Sequence, residues 1–283
     1  MNAPAPRQHL SAPEPDPFIE AMDRELTGWD DASARLRDAL DNDEFSLFAQ
    51  PIVRAAEPDM PCVAEVLVRM REEEEALLPP GEFLPVFEHH GMMPELDRWV
   101  VRHAIAGLAG GLRVPRLTVN VSSQTFSDTD FVPFVAAELG QAGLAPASLV
   151  FEIDEMDLLK RPESAVCFAA ALKEAGCALL VDGFGRRSVS FAPLTRLRAD
   201  FIKVDGVIVR KLHCSEIARG KLAAIVRVAD VIGAGVIGEC VEEPVALQGL
   251  RNAGAGYAQG FGLFRPEPLE NLRRIPGNAP VGA

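Results

Sequence analysis

Short apolar runs alternate with longer amphipathic stretches along most of this chain. The runs are FSLFAQPIV, CVAEVLVRM, RLTVNVS, SLVFEIDE, CALLVDGF, DFIKVDG, AGVIGEC and GYAQGFGLF. They are too short for core helices and nearly continuous in apolar character, the pattern of strands covered on both faces. Between them lie ELDRWVVRHAIAGLAGG, FVPFVAAELGQAG, ESAVCFAAALKEAG, EIARGKLAAIVRVADVIGA and PVALQGLRNAG, which read as helices. Glycine closes several of these, as a helix C-terminus favours. Repeated strand and helix units predict parallel pairing beneath a helical layer. Eight runs favour an α/β fold of the TIM-like (βα)8 barrel type, with a doubly wound open sheet as the alternative. The first two runs lie close together, so the regular order is expected to break there. Ahead of them, DDASARLRDALDNDEF spaces Ala32, Leu36, Ala39 and Leu40 as a leader helix would.

Length and composition narrow this picture. The 283 residues, 48% of them hydrophobic, suit one barrel with a sizeable core. A net charge of -13 repels polyanions, so no nucleic-acid partner is expected, although a small phosphorylated ligand is compatible if cations receive it. Five cysteines, an odd number without CxxC spacing, imply a reducing, cytoplasmic setting. No run of about 18 apolar residues occurs, so no membrane span is expected. The Pro- and Ala-rich start lacks a secretory apolar core, and residues 1–28 are predicted to be a disordered tail. Residues 29–272 are expected to form the domain, and 273–283 a C-terminal tail. The first 40 residues leave no room for a sensor domain, so regulatory input is expected through oligomerisation or a separate protein.

Polar groups recur where the apolar runs end. CVAE ends on Glu65, LTVN on Asn120, LVFE on Glu152 and LLVD on Asp182; FIK ends on Lys203, VIGE on Glu239 and YAQ on Gln259. Asp154, Glu155 and Asp205 follow closely. One acidic residue at a strand end is commonly a helix N-cap. A succession of them points to the C-terminal rim of a barrel, where active sites sit. Carboxylate and amide oxygens converging there suit a hard cation, Mg²⁺ or Mn²⁺, and several carboxylates need cations to stay ionised together. Lys203 would neutralise charge or align a water. The chemistry implied is metal-assisted attack on a phosphate ester. Zinc is disfavoured, because His9, His89, His90, His103 and His213 form no HExxH or Cys/His cluster. EHHG reads as an exposed helix end and the acidic run REEEE, Arg71 to Glu75, as a solvated loop. No phosphate-binding GxxxxGK[ST] or GxGxxG motif is present.

These residues resemble a family. EVLVR is similar to the Glu-Ala-Leu-Leu-Arg signature of EAL domains, which hydrolyse the bacterial messenger cyclic di-GMP. FAQPIV, PGEFLPVFEHHGMMPELDRWVV, VNVS, FEIDE, FIKVDG, GECVE and AQGFGLFRP resemble further family blocks in the same order, over roughly residues 30 to 272. The resemblance implies a barrel whose first strand is antiparallel. It implies that Glu65, Asn120, Glu152 and Asp182 are metal ligands, that Lys203 stands beside the attacking water, and that Glu239 completes the catalytic set. It implies that Gln50, Arg69 and Gln259 meet the ligand, Arg69 through a phosphate, and that Glu155 steadies the loop after Asp182. A homodimer paired near that loop, and a protein effector partner, are further expectations of the resemblance.

One block departs from the family. Where EAL domains have Asp-Asp-Phe-Gly-Thr-Gly-Tyr, this chain has Asp182-Gly183-Phe184-Gly185-Arg186-Arg187-Ser188. The second aspartate, which in the family binds a second metal, is absent. Arg186 and Arg187 read either as phosphate contacts or as a solvated pair. Two functional classes stand at this point: a cyclic di-GMP phosphodiesterase of reduced activity, and a non-hydrolysing cyclic di-GMP receptor that signals through a partner. A domain without any ligand would call for loss of Gln50 and Arg69, and both are present.

Overall fold

The computed structural model describes residues 31–71, 77–187 and 191–272. The tails 1–28 and 273–283 and residues 72–75 of the acidic run lie outside the described residues; Arg71, at its start, ends a strand and is not in a loop. The strands are β1 (Phe45–Arg54), β2 (Glu57–Arg71), β3 (Leu77–Leu78), β4 (Leu117–Asn120), β5 (Leu149–Asp154), β6 (Ala178–Phe184), β7 (Phe201–Val204), β8 (Gly235–Gly238), β9 (Tyr257–Ala258) and β10 (Glu267–Pro268). Among the described residues the α-helices are α1 (Ala32–Asp41), α2 (Pro80–His89), α3 (Met93–Ala109), α4 (Phe131–Gln141), α5 (Glu155–Lys160), α6 (Pro162–Glu174), α7 (Ala192–Leu197), α8 (Gly206–Val209), α9 (Glu216–Ile232) and α10 (Pro244–Ala253). None is long and apolar enough to cross a membrane.

The ring runs β1-β9-β8-β7-β6-β5-β4-β2 and closes through the β1–β2 pairing. Strands β2 and β4 to β9 are parallel, and β1 is antiparallel to both neighbours. All eight apolar runs therefore became barrel strands. The break at the start has a simple cause. Only Ala55 and Ala56 separate β1 from β2, which allows a hairpin but not the long crossover that parallel strands require. The leader helix forms as α1, with Asp31 accepting a cap hydrogen bond from the Ala34 amide at 3.0 Å. Its buried face is Ala32, Leu36 and Ala39, and EHHG ends α2 with His89 and His90 exposed.

Two apolar regions hold the barrel. The larger fills the space between strands and helices. The smaller, Ile52, Val63, Val150, Leu180 and Ile237, lies inside the barrel with Phe201 and Tyr257 packed on it. Side chains alternate faces along a strand, so the positions two residues away share the interior: Gln50, Glu65, Glu152, Asp182, Glu239, Lys203 and Gln259. An apolar plug thus lies directly beneath a polar layer, and the plug keeps water from entering that layer from below.

Candidate active site

Lys203 is the centre of the polar layer. Its residue is 1% exposed, and its Nζ donates to Glu65 Oε2 at 2.9 Å and Glu152 Oε2 at 2.5 Å. Asp182 Oδ1 stands 3.5 Å away as an ionic neighbour. Glu65 is a second hub. Asn120 Nδ2 donates to its Oε1 at 3.2 Å and Gln259 Nε2 to its Oε2 at 2.7 Å. Gln259 also reaches Gln50 Oε1 at 3.3 Å, and Gln50 Nε2 is fixed by the Phe264 carbonyl at 3.0 Å. Seven of the sequence-selected residues are therefore joined in one network from six strands and a post-strand loop.

The remaining selected residues flank it. Glu239 accepts from the Gly206 amide at 2.7 Å, tying the end of β8 to the start of α8. Glu155 accepts from the Gly185 amide at 3.1 Å, at the turn after β6. Arg69 lies four residues beyond Glu65 on the same strand face; its Nη1 donates to the Val68 carbonyl at 2.8 Å, and its guanidinium lies 5.7 Å from the Phe48 ring centre. It is outside the hydrogen-bonded network.

Electrostatics sort the carboxylates. Burial opposes ionisation of Glu65, but the Lys203 ammonium and the bonds from Gln259, Lys203 and Asn120 outweigh it and hold its carboxyl below the usual range. Burial, reinforced by repulsion from Glu65 and Asp182, pushes Glu152 up to about 8 despite Lys203. Burial likewise raises Asp182, Glu239 and Glu155. Burial alone would lower Lys203, yet Glu152, Glu65 and Asp182 hold it well above the ordinary lysine value. One ammonium faces three carboxylates, an imbalance that disfavours ionising all three together.

This arrangement fits a divalent cation chemically. Glu152 Oε1 and Asp182 Oδ1 are buried and accept no hydrogen bond, as is Thr118 Oγ1 on the neighbouring strand β4. Such orphaned oxygens are costly unless something binds them. Among the described residues no three His, Cys, Asp or Glu side chains are grouped as a metal cage; Glu65, Glu152 and Asp182 are arrayed around Lys203 instead. Beside Asn120 opens a cleft of about 380 Å³, walled by Leu67, Val68, Leu84 and Met93 and edged by Ser122 and Gln124.

Arg186, read from the sequence either as a phosphate contact or as one of a solvated pair, is exposed and also pairs with two carboxylates. Its Nε donates to Asp205 Oδ2 at 2.7 Å and its Nη1 to Asp154 Oδ2 at 3.4 Å. Asp154 and Asp205 are themselves N-caps of α5 and α8, through the Met156 and Val207 amides. Another residue was missed altogether: Asp97, 5% exposed on α3, which accepts from Thr125 Oγ1 at 2.6 Å and from the Ser122 amide at 3.0 Å. An acid three and four residues before Val100 and Val101, on the apolar face of a helix, was the available signal.

Fold and site together define a βα-barrel protein with an acidic mouth suited to a hard cation. The chain belongs to the EAL family, whose domain matches residues 33–266. It is 30% identical over 238 residues to the cyclic di-GMP phosphodiesterase PdeF of Escherichia coli K12, covering 83% of this chain and 32% of PdeF. The chain spans about a third of the length of the curated relatives it matches. Its structure is similar to the Pseudomonas aeruginosa FimX EAL domain bound to cyclic di-GMP, with a TM-score of 0.77, 30% identity, and coverage of 83% of this chain and 96% of that one. It is also similar to the Klebsiella pneumoniae BlrP1 complex with manganese and cyclic di-GMP, with a TM-score of 0.70, 27% identity, and coverage of 79% and 56%.

Proposed function

We propose that this chain is a metal-dependent phosphodiesterase that opens one ester bond of cyclic di-GMP to give linear pGpG, more slowly than a relative with a carboxylate at position 183. The observation that carries the reading is the buried Lys203 cluster with two carboxylate oxygens that accept no hydrogen bond, Glu152 Oε1 and Asp182 Oδ1. Glu65, Asn120, Glu152 and Asp182 would hold Mg²⁺ or Mn²⁺, which when bound supplies Lewis acidity toward the phosphate and acidifies a water. Lys203 keeps an ammonium at the reacting centre, where it offsets phosphate charge and donates a hydrogen bond to the attacking water. Glu239, with its carboxyl raised by burial, stands ready to take a proton. Gln50 and Gln259 present amides to the ligand, Arg69 offers a guanidinium fork to a phosphate, and the adjoining apolar cleft suits a flat base. Five free thiols support a reducing, cytoplasmic setting.

The test is direct. The purified protein is incubated with cyclic di-GMP and Mg²⁺ or Mn²⁺, beside Glu65→Gln, and pGpG is followed by chromatography. Product from the wild type and none from Glu65→Gln supports the reading; product from both removes Glu65 from the site.

A second reading rests on a different observation. Gly183 contributes no oxygen, and Arg186 braces the loop that follows it. That favours a receptor which binds cyclic di-GMP without cleaving it and signals to a protein partner, and calorimetric binding without pGpG formation would select it. A homodimer belongs to both readings through the family resemblance alone; a monomer at all concentrations by light scattering would remove it.

A further inference from the structure

The rim carboxylates fall into two groups that differ in what their oxygens already hold. In the inner group Glu152 Oε1 and Asp182 Oδ1 have no hydrogen-bond partner, and Glu152 is 1% exposed. In the outer group every oxygen is occupied. Asp154 Oδ1 accepts from the Met156 amide at 2.7 Å and Oδ2 from Arg186. Asp205 Oδ1 accepts from the Val207 amide at 2.7 Å and Oδ2 from Arg186. One guanidinium thus bridges two carboxylates on different strand ends, with Asp182 also within its electrostatic reach.

The guanidinium occupies space that Gly183 leaves open. Gly183 has φ +64°, and a Cβ built on it would lie 2.8 Å from Arg186 Nη2 and 3.1 Å from its Cζ. A side chain at 183 would require the guanidinium to shift from this position. The absent side chain and the arginine three residues on are two halves of one arrangement.

We infer that Arg186 is the resident cation of the outer rim, seated in the space Gly183 leaves, so that the site accepts one divalent ion on its inner carboxylates and excludes a second. This rests on the proposed metal-binding reading. A guanidinium is permanently charged and needs no supply from solution. It also cannot act as a Lewis acid or acidify a water, so the outer rim is held in shape without contributing metal chemistry.

Manganese stoichiometry tests it without any turnover. Wild type, Arg186→Gln and the double variant Gly183→Asp with Arg186→Gln are titrated with Mn²⁺, and the free-ion electron paramagnetic resonance signal gives the bound count. Circular dichroism confirms that each variant is folded. The expected result is one ion for wild type, a second and weaker ion for Arg186→Gln, and a second ion bound at least about tenfold more tightly in the double variant, with the broadened spectrum of two close ions. Two ions in wild type would overturn the inference and leave the phosphodiesterase reading intact. One ion in both variants would overturn it as well. So would a second ion in the double variant only, since the exclusion would then lie in the missing oxygen at 183. No ion in any protein would remove the metal-binding reading itself, and the inference with it.

Discussion

The Lys203 ammonium donates to Glu152 across 2.5 Å, in a pocket where each residue is 1% exposed. A buried pair of this kind is expensive to break from one side. Lys203→Met leaves Glu65, Glu152 and Asp182 facing each other with no fixed cation. The variant is expected to lose about 3–5 kcal/mol of stability at pH 8. At pH 6 the loss should be smaller, because the orphaned carboxyls can then take up protons. Urea unfolding of both proteins at the two pH values checks this, and an equal loss at each would show that the carboxylates are not what suffers.

Metal uptake should release a proton. Glu152 is pushed up to about 8, so it is expected to carry a proton at neutral pH in the metal-free protein, and a cation binds only the carboxylate. Below pH 8 the affinity for Mn²⁺ is expected to rise about tenfold per pH unit, and to level off above it. Calorimetry at pH 7 in two buffers of different ionisation enthalpy should count about one proton per ion bound. A count near zero would mean that Glu152 is either already ionised or not a ligand.

The barrel was legible because each strand is covered on both faces and so announces itself as an apolar run. The antiparallel start followed from the short gap between the first two runs. The inner cluster was legible for a related reason: its members end those runs, and only side chains on one face of successive strands can meet. What the outer rim does was hidden. Asp154 and Asp205 look like Asp182 in the sequence, and only the structure shows them capping α5 and α8 while sharing Arg186. The partner choice of a long, flexible arginine depends on loop geometry, and local pattern does not carry it. Asp97 was hidden differently, as one acid on an otherwise ordinary amphipathic helix.

Arg69 offers a sharper test of ligand recognition than the hub residues do, because it lies outside the hydrogen-bonded network and can be changed without unpicking it. Arg69→Lys keeps the charge and loses the planar fork. Its affinity for cyclic di-GMP is expected to fall at least about tenfold, or roughly 1.5–3 kcal/mol for a charged hydrogen bond. Calorimetry in Ca²⁺ gives the number while slowing any cleavage. Unchanged affinity would place the phosphate elsewhere.

Asp97 predicts a pH dependence of stability that is separate from the metal chemistry. Burial raises its carboxyl from the ordinary 3.8 to about 7, against the pull of Thr125 and Ser122. Folded, it stays neutral through a range in which the unfolded chain has already ionised. Its contribution is therefore whole below about pH 4, declines as pH rises toward 7, and is gone above. Asp97→Asn keeps the shape and an oxygen that can accept from Thr125 and Ser122, and it cannot ionise. Between pH 5 and pH 8, wild type should lose about 2–3 kcal/mol more than the variant. The comparison with the variant removes the other buried acids, Glu152, Glu155, Asp182 and Glu239, which titrate in the same direction in both proteins. Urea unfolding at the two pH values is the measurement. If both proteins lose the same amount, Asp97 is ionised in the fold, and the Ser122 and Thr125 bonds are strong enough to hold a buried charge at the wall of the cleft.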